Sequence, residues 1–424
     1  MKLDKTQQEI VDSNDKNIIV VAGAGSGKTR VLTERVKRLL SDGVEPCNIV
    51  VITFTNMAAD EMRERLLDIE GIGDAFIGTI HSFANRIMQN SEEVYEIYTE
   101  EKENNFARFI IRRYCKHLNY DRFLENKDMK YKADMGFISE DDYSSFLLPS
   151  EKADLSAMFG NPDEIFRHTI PSMCKQENVI TFNELLKKST AYFKSLEATV
   201  EHVLVDELQD IGYLEYKFIK GLNAKNYFYV GDDWQAIYGF KGGDVNIFLN
   251  LIKNPEWKTF YLTTNYRNKK DILKKSELVI RQVDDLIDKN VTAYHKESGD
   301  VKIASKYRIK DYLTGIPKEE LKDYFLLVRT NKQIYEMMQI LEAEQVPYSC
   351  FKKGELTLAE MRQELEKESI KLLTVHTSKG LESKNVILYG NFPIKQPSYL
   401  NNSDERRVMY VGMTRAMNKL IILN

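Results

Sequence analysis

Short apolar runs rich in Val and Ile, each bounded by glycine or polar residues, recur at 17–22, 48–53, 202–206, 226–231, 324–328, 370–375 and 385–389. Runs of roughly four to eight apolar residues without alternation are what strands covered on both faces of a parallel sheet require. Amphipathic segments at helical spacing follow several of them, as at 28–40 and 56–67. Buried strands alternating with helices predict an α/β fold with parallel sheets. Between about 91 and 200 the strand pattern stops, and charged and aromatic text takes over, with Phe106, Phe109, Ile110 and Tyr114 at helical spacing. This predicts a helical insertion within the first α/β core. A second group of strand-like runs begins after about 269, so two α/β cores are expected in tandem. No Pro/Gly/Ser linker separates them, and the boundary near Thr264 is set by motifs.

The length of 424 residues, at about 150 per domain, accommodates this organisation. Hydrophobic residues at 43% and charged residues at 29% exclude disordered and fibrous classes. Lys plus Arg number 60 against 64 Asp plus Glu. Any nucleic-acid contact therefore depends on a local basic or aromatic groove rather than on overall charge. Cys47, Cys115, Cys174 and Cys350 lie far apart, and none has a partner at zinc-ligand spacing, which predicts thiols in a reducing compartment. The start lacks an apolar signal core, and no apolar run approaches the roughly 18 residues of a membrane helix, so a cytoplasmic protein without a membrane partner is expected.

The first strand runs into Ala22-Gly23-Ala24-Gly25-Ser26-Gly27-Lys28-Thr29-Arg30 and then into a helix, the context of a phosphate-binding loop. Glycines let backbone N–H groups turn around phosphate oxygens, Lys28 brings charge to the β and γ phosphates, and the Thr29 hydroxyl suits Mg²⁺. A second apolar strand delivers Asp206-Glu207-Leu208-Gln209. Asp206 suits the Mg²⁺ shell, while Glu207 suits polarisation of the attacking water. ATP and Mg²⁺ are the cofactors this pair of elements predicts.

The remaining motifs resemble the UvrD/Rep/PcrA group of superfamily 1 helicases, in family order along nearly the whole chain. Leu3-Asp4-Lys5-Thr6-Gln7 is similar to that group's adenine-reading motif, with Asp4 where Asn is more usual. Segments 52–59 and 78–83 resemble its early DNA-contacting motifs, and 230–242 resembles the motif linking γ-phosphate to DNA. Asn265-Tyr266-Arg267, 373–382 and 405–416 resemble those of the second motor core.

The resemblance implies two tandem RecA-like parallel-sheet motor domains: residues 1–91 and 200–263 as the first, interrupted by a helical insertion at 92–199, and 264–424 as the second. It implies Arg267 and Arg415 as arginine fingers, Gln235 as γ-phosphate sensor, Gln7 and Tyr266 at the adenine, and Glu382 near the ribose or phosphates. Tyr266 also reads as a packing residue. Phe54, Thr55, Asn56, His81, Tyr238, Phe240, Lys241, Thr374 and His376 fall where the family contacts DNA, by stacking of bases on aromatics and by grips on the backbone. For Phe54, Tyr238 and Phe240, core packing is the competing reading, and for His81, Thr374 and His376 a satisfied structural role. Phe240 stands for the usual Trp and Lys241 for the usual Arg. Ser383 replaces an aromatic, and Trp234 has no assignment.

The family's large insertion in the second core has no counterpart here. Between 331 and 371 there is room for a helix at 334–341, a strand at 347–351 and a helix at 356–365. The expected activity is ATP-dependent translocation along single-stranded DNA, 3′ to 5′, with helicase capacity at single-strand/duplex junctions. Duplex handling then requires self-association or a protein partner, a nuclease or accessory factor. The competing expectation is a DNA-stimulated ATPase subunit that regulates a partner nuclease in repair or phage defence without unwinding by itself.

Overall fold

A computed structural model of the chain describes residues 2–69, 71–91, 93–98, 179–351, 356–390 and 402–424, with isolated positions between 117 and 153. The first core begins with β1 (Asn17–Ala22), β2 (Ile49–Thr53) and β3 (Phe76–Thr79). Residues His81–Ala198 form a compact unit of their own. In it β4 (Glu96–Tyr98) pairs in parallel with β5 (Val179–Thr181). A helix over Phe182–Ser195 follows, opened by a capping box in which the Thr181 hydroxyl takes the Glu184 amide and the Glu184 carboxylate takes the Thr181 amide. The rest of the segment expected to be a helical insertion, with Phe106, Phe109, Ile110 and Tyr114, lies outside the described residues.

The chain returns to the first core with β6 (His202–Val205), β7 (Asn226–Gly231) and β8 (Lys258–Leu262). The sheet order is β3-β2-β6-β7-β1-β8, with every neighbouring pair parallel. Ile18, Ile19, Val20 and Val21 are all fully buried, because β1 lies inside the sheet and is covered on both faces. The helices Lys28–Ser41 and Asn56–Leu66 set Val31, Leu32, Val36, Ala59 and Met62 against Ile18, Val20 and Val51 in one core layer.

The second core opens with a short parallel pair, β9 (Thr264–Asn265) and β10 (Thr292–Ala293). Its main strands are β11 (Asp300–Ala304), β12 (Tyr324–Val328), β13 (Tyr348–Cys350), β14 (Ile370–Thr374), β15 (Ser383–Tyr389) and β16 (Ala416–Leu423). They pair in parallel in the order β11-β16-β15-β12-β14-β13. Phe325 and Leu327 pack into one apolar layer, and Tyr324, Leu326 and Val328 into the other, so β12 is the spine of a three-layer core.

β3, β8, β11 and β16 are absent from the apolar-run pattern. β3, β8 and β11 are edge strands, and the exposed Lys258, Tyr261, Lys302 and Ile303 break any continuous run in the last two, whereas the interior β16 is interrupted by the polar Asn418 and Lys419. Between β13 and β14 the helix Leu358–Glu366 carries Arg362, which forms a bidentate pair with Glu64 of the first core at 3.2 and 2.6 Å. No helix among the described residues is long and apolar enough to cross a membrane. The parallel arrangement brings the carboxyl ends of β1, β6 and β7 to one edge of the first sheet, where open α/β sheets hold their ligands.

Candidate nucleotide site and nucleic-acid face

β1 leads through the fully buried Ala22 and Ala24 into a loop where Gly25 and Gly27 have φ of 61° and 85°. Glycine adopts this left-handed backbone without the clash that a Cβ brings. Space demands glycine as well: a Cβ on Gly25 would stand 2.7 Å from Cβ of Arg267, and one on Gly27 would stand 2.9 Å from Nε2 of Gln7. The Gly23 amide donates to Leu262 O at 2.9 Å and the Ser26 hydroxyl to Gly23 O at 2.8 Å, which fixes the curl of the loop. Lys28, Thr29 and the half-buried Arg30 form the first turn of the following helix, whose free amides favour an anion.

Gln7 Nε2 donates to Ser26 O at 3.1 Å, tying the N-terminal helix Lys5–Asp12 to the loop. Asp4 accepts the Gln7 amide at 2.8 Å, and its other oxygen takes the Tyr266 hydroxyl. Burial, followed by this bond to Asp4, pushes the Tyr266 phenol up to about 12. The Tyr266 ring lies 5.0 Å from that of Tyr294. Asp4, Gln7 and Tyr266 thus form one polar and aromatic cluster beside the phosphate loop.

At the end of β6, Thr29 Oγ donates to Asp206 at 3.4 Å, and the Glu207 amide donates to the same carboxylate at 2.9 Å. Burial, then the neighbouring Glu207, pushes Asp206 up to about 7. A deeply buried carboxylate next to a hydroxyl and a second carboxylate is an oxygen donor set that a hard divalent cation fits, since the cation offsets the charge the site concentrates. Lys28 Nζ stands 3.8 Å from Glu207 and 3.7 Å from Asp232. Glu207 has φ 53°, and its carboxylate accepts Gln209 Nε2 at 2.5 Å. Asp210 is pushed up to about 6 by burial, against the opposing pull of Lys379. Burial alone would depress the Lys379 ammonium, but the Asp210 carboxylate it pairs with and the nearby Glu207 hold it above its ordinary range.

The turn after β7 carries Asp232, Asp233, Trp234 and Gln235, all buried. Gln235 Nε2 donates to Asp232 at 2.5 Å, and Gln235 Oε1 accepts Arg415 Nη2 at 3.1 Å. Arg415 is enclosed, with further bonds to Val411 O and Leu381 O at 2.9 and 3.1 Å. Burial, then the like charge of Arg267, lowers its guanidinium to about 9. Arg267 sits against the phosphate loop and pairs with Glu382 at 2.6 Å. Arg267 therefore meets the loop of the first core and Arg415 the turn after β7, whereas Glu382 meets Arg267.

Several residues of this site carried no role in the sequence. Lys289 is fully enclosed and pairs with Asp232 and, at 2.6 Å, with Asp233. Trp234, unassigned from sequence, lies over Lys289 with 4.8 Å from ammonium to ring centroid. Asn265 Nδ2 donates to Ala24 O and to Asn268 Oδ1, both at 2.7 Å, and Asn268 Nδ2 reaches Thr414 O at 3.1 Å. Lys289 lies in Asp288-Lys289-Asn290, text with no motif signal, and only the fold reveals its partners.

Of the residues expected to contact DNA, Phe54, Tyr238, Phe240 and His376 form one aromatic cluster. Phe54 and Tyr238 are 4.6 Å apart, Tyr238 and Phe240 6.1 Å, and Phe240 and His376 5.3 Å. Their exposures differ: Phe240 is 68% exposed, whereas Tyr238 is 6% and gives its hydroxyl to His376 O at 3.3 Å. Tyr238 is thus a packed support and Phe240 the free ring face. His376 is lowered to about 4, mainly by burial, and its Nε2 has no hydrogen-bond partner among the described residues. The Thr55 and Thr374 hydroxyls cap the helices that follow β2 and β14, accepting Ala58 N–H at 3.2 Å and Thr377 N–H at 3.1 Å. Asn56 and Lys241 are exposed. His81 belongs to the compact unit His81–Ala198, where its ring lies 4.5 Å from Phe182 and burial lowers it to about 4.

The model of the UvrD/REP helicase N-terminal domain matches residues 3–256, and that of the UvrD-like helicase C-terminal domain matches 352–424. A Mycoplasma pneumoniae protein named "Probable DNA helicase" is 27% identical over 100% of this chain and 83% of its own length. The ATP-dependent DNA helicase PcrA of Leuconostoc citreum is 29% identical over 82% of the chain and 49% of its own length. DNA helicase II of Haemophilus influenzae is 28% identical over 82% and 51%. The chain spans about half the length of these last two relatives.

The raised Asp206 gives the ligand-free protein a stability signature. A carboxylate whose folded pKa exceeds its unfolded value destabilises the fold as pH rises from the ordinary 3.8 through about 7. Asp206→Asn should therefore stabilise the protein at pH 8, without nucleotide or metal, by at least about 1 kcal/mol. The gain should shrink toward pH 4. Chemical denaturation at the two pH values tests this, and an equal gain at both would exclude Asp206 as its source.

Proposed function

Because the chain belongs to the UvrD/Rep helicase family, we propose that it is an ATP-driven motor that moves 3′ to 5′ along single-stranded DNA and separates strands at junctions. The observation that carries this reading is the placement of Arg415 on Gln235 and of Arg267 on the phosphate loop. Residues of the second core complete a site built by the first, so closing and opening of the cleft is coupled to turnover. We assign residues 1–91 and 200–263 to the first motor core, 92–199 to its insertion and 264–424 to the second.

In this reading Gln7 and Tyr266 hold the adenine, residues 22–30 cradle the phosphates, and Glu382 lies near the ribose or phosphates. Asp206 and Thr29 would hold Mg²⁺, which when bound supplies charge neutralisation to the transferring phosphoryl group. Glu207 orients the attacking water, Gln235 senses the γ-phosphate, and Arg267 and Arg415 offset charge as the phosphoryl group moves. For DNA, the exposed Phe240 ring stacks on a base, backed by Tyr238 and Phe54. Thr55, Asn56, His81, Lys241, Thr374 and His376 grip the backbone. The short connection from β13 to β14 leaves little surface for duplex, so a partner or a second copy supplies that grip on long substrates. A regulatory ATPase subunit would carry the same acids, lysine and arginines, and strand displacement by the chain alone separates the two readings.

The primary test is ATPase rate with and without single-stranded DNA, followed by strand displacement from a 3′-tailed duplex by the purified chain. No stimulation by DNA would remove the reading. Glu207→Gln keeps the shape of the site while losing the base, so it should bind ATP yet lose at least about a hundredfold in turnover. Turnover near wild type would take that role from Glu207.

Arg267→Ala should lose on the order of 10³ in turnover, the lower range for an arginine finger, with little change in DNA affinity without nucleotide. A loss of both together would instead mark Arg267 as a structural tie through Glu382. Phe240→Ala should weaken single-strand binding by roughly 1–3 kcal/mol and blunt DNA stimulation while basal turnover persists. Fluorescence anisotropy with an oligonucleotide measures the first, and unchanged affinity would mean that Phe240 meets no base.

A further inference from the structure

We propose that Lys289 is a positioning residue that fastens the turn 232–235 to the second core, so that the orientation of Gln235 is set by both cores at once. The inference rests on the ATPase reading of this site and adds a residue to it.

The ammonium of Lys289 is fully enclosed between three oxygens: Asp232, Asp233 at 2.6 Å, and Ala22 O at 3.1 Å. The ammonium donates to Asp232 and to Ala22 O and pairs by charge with Asp233, and the Trp234 ring covers the group at 4.8 Å. The neighbouring backbone strengthens the grip. The Ile287 amide donates to Asp233 Oδ2 at 2.9 Å, and Trp234 Nε1 donates to Ile287 O at 3.0 Å. Segment 287–289 therefore holds the two central side chains of the turn, Asp233 and Trp234, as well as the Asp232 carboxylate.

The contacts continue to the sensor without a gap. Asp232 gives one oxygen to Lys289 and the other to Gln235 Nε2, and Gln235 Oε1 accepts Arg415 Nη2. Lys289 and Arg415 both come from the second core, whereas Asp232 and Gln235 come from the first. Separation of the cores removes both outer members together. Asp232 then loses an ammonium, Gln235 loses a guanidinium, and the side-chain amide is no longer held in one orientation. A buried group of charges is costly relative to apolar packing, and its gain is in fixing one geometry.

The test compares Lys289→Met and the double variant Lys289→Met/Asp233→Asn with wild type. The double variant removes one positive and one negative charge together, so it keeps the pocket balanced if the single variant is poorly folded. Steady-state ATP hydrolysis at saturating oligo(dT) separates kcat from KM, and thermal melting reports the fold. In both variants kcat should fall by at least about fivefold, the lower end of typical coupling between sites. KM for ATP should stay within about twofold, since Lys289 is not expected to touch the nucleotide. Wild-type kcat in a folded variant overturns the inference, as does a KM that rises in proportion to the fall in kcat. A wild-type chain without DNA-stimulated turnover would overturn the ATPase reading and this inference together, whereas a stimulated wild type with unaffected variants overturns only the latter.

Discussion

Asp232, buried at the end of β7, takes Lys289 from the second core on one oxygen and on the other faces Lys28 of the phosphate loop at 3.7 Å. Carboxylates removed from water are tolerated only with cations and hydrogen bonds in place, and removal of one partner leaves an uncompensated charge. The same rule extends outward to Asp233, held by Lys289, and to Asp210, held by Lys379. The cleft between the cores is thus a compensated set of charges shared by both. Its members cannot move independently, because each displacement uncovers another charge.

The fold places these charges by topology. Parallel pairing sets Val20 beside Val230 and Val21 beside Gly231, so β1 and β7 end together, and the phosphate loop and Asp232 leave the sheet side by side. β6 ends at the same edge and delivers Asp206 and Glu207. Close backbone approach does the rest. A Cβ at Gly231 would stand 2.8 Å from the Phe248 ring and one at Gly25 2.7 Å from Cβ of Arg267, so glycine at both points lets neighbouring elements come near. Asn265 and Asn268, fully buried, tie the Ala24 carbonyl to Thr414 with their amides, so the second core reads the position of the loop through backbone groups.

The aromatic face follows a similar division between support and contact. Tyr238 fills the gap between Phe54 and His376 with its hydroxyl bonded to the backbone, and Phe240, two residues on, is left outside. The Lys379 ammonium lies 5.1 Å from the Tyr238 ring and also pairs with Asp210. One lysine therefore touches both the aromatic face and the acids of the nucleotide site, which makes the two regions neighbours through a single side chain.

Sequence alone determined what depends on local chemistry. The bounds of β1, β7 and β12 coincide with their apolar runs, because a strand covered on both faces needs no polar position. The phosphate loop, with its glycines and Lys28, and the acids at 206–207 were legible because phosphate chemistry constrains adjacent residues. The tertiary structure alone decided β8 and β11, whose edge positions leave polar and exposed residues along the strand. It also separated Tyr238 from Phe240, two aromatics that look alike in sequence, since exposure belongs to the packing of other segments. Lys289 and Trp234 are the clearest case. A lysine between Asp288 and Asn290 reads as solvated surface, and its burial follows from two aspartates 57 and 56 residues away in the chain. Partners so distant leave no local pattern, because the energy that selects them exists only once the two cores meet.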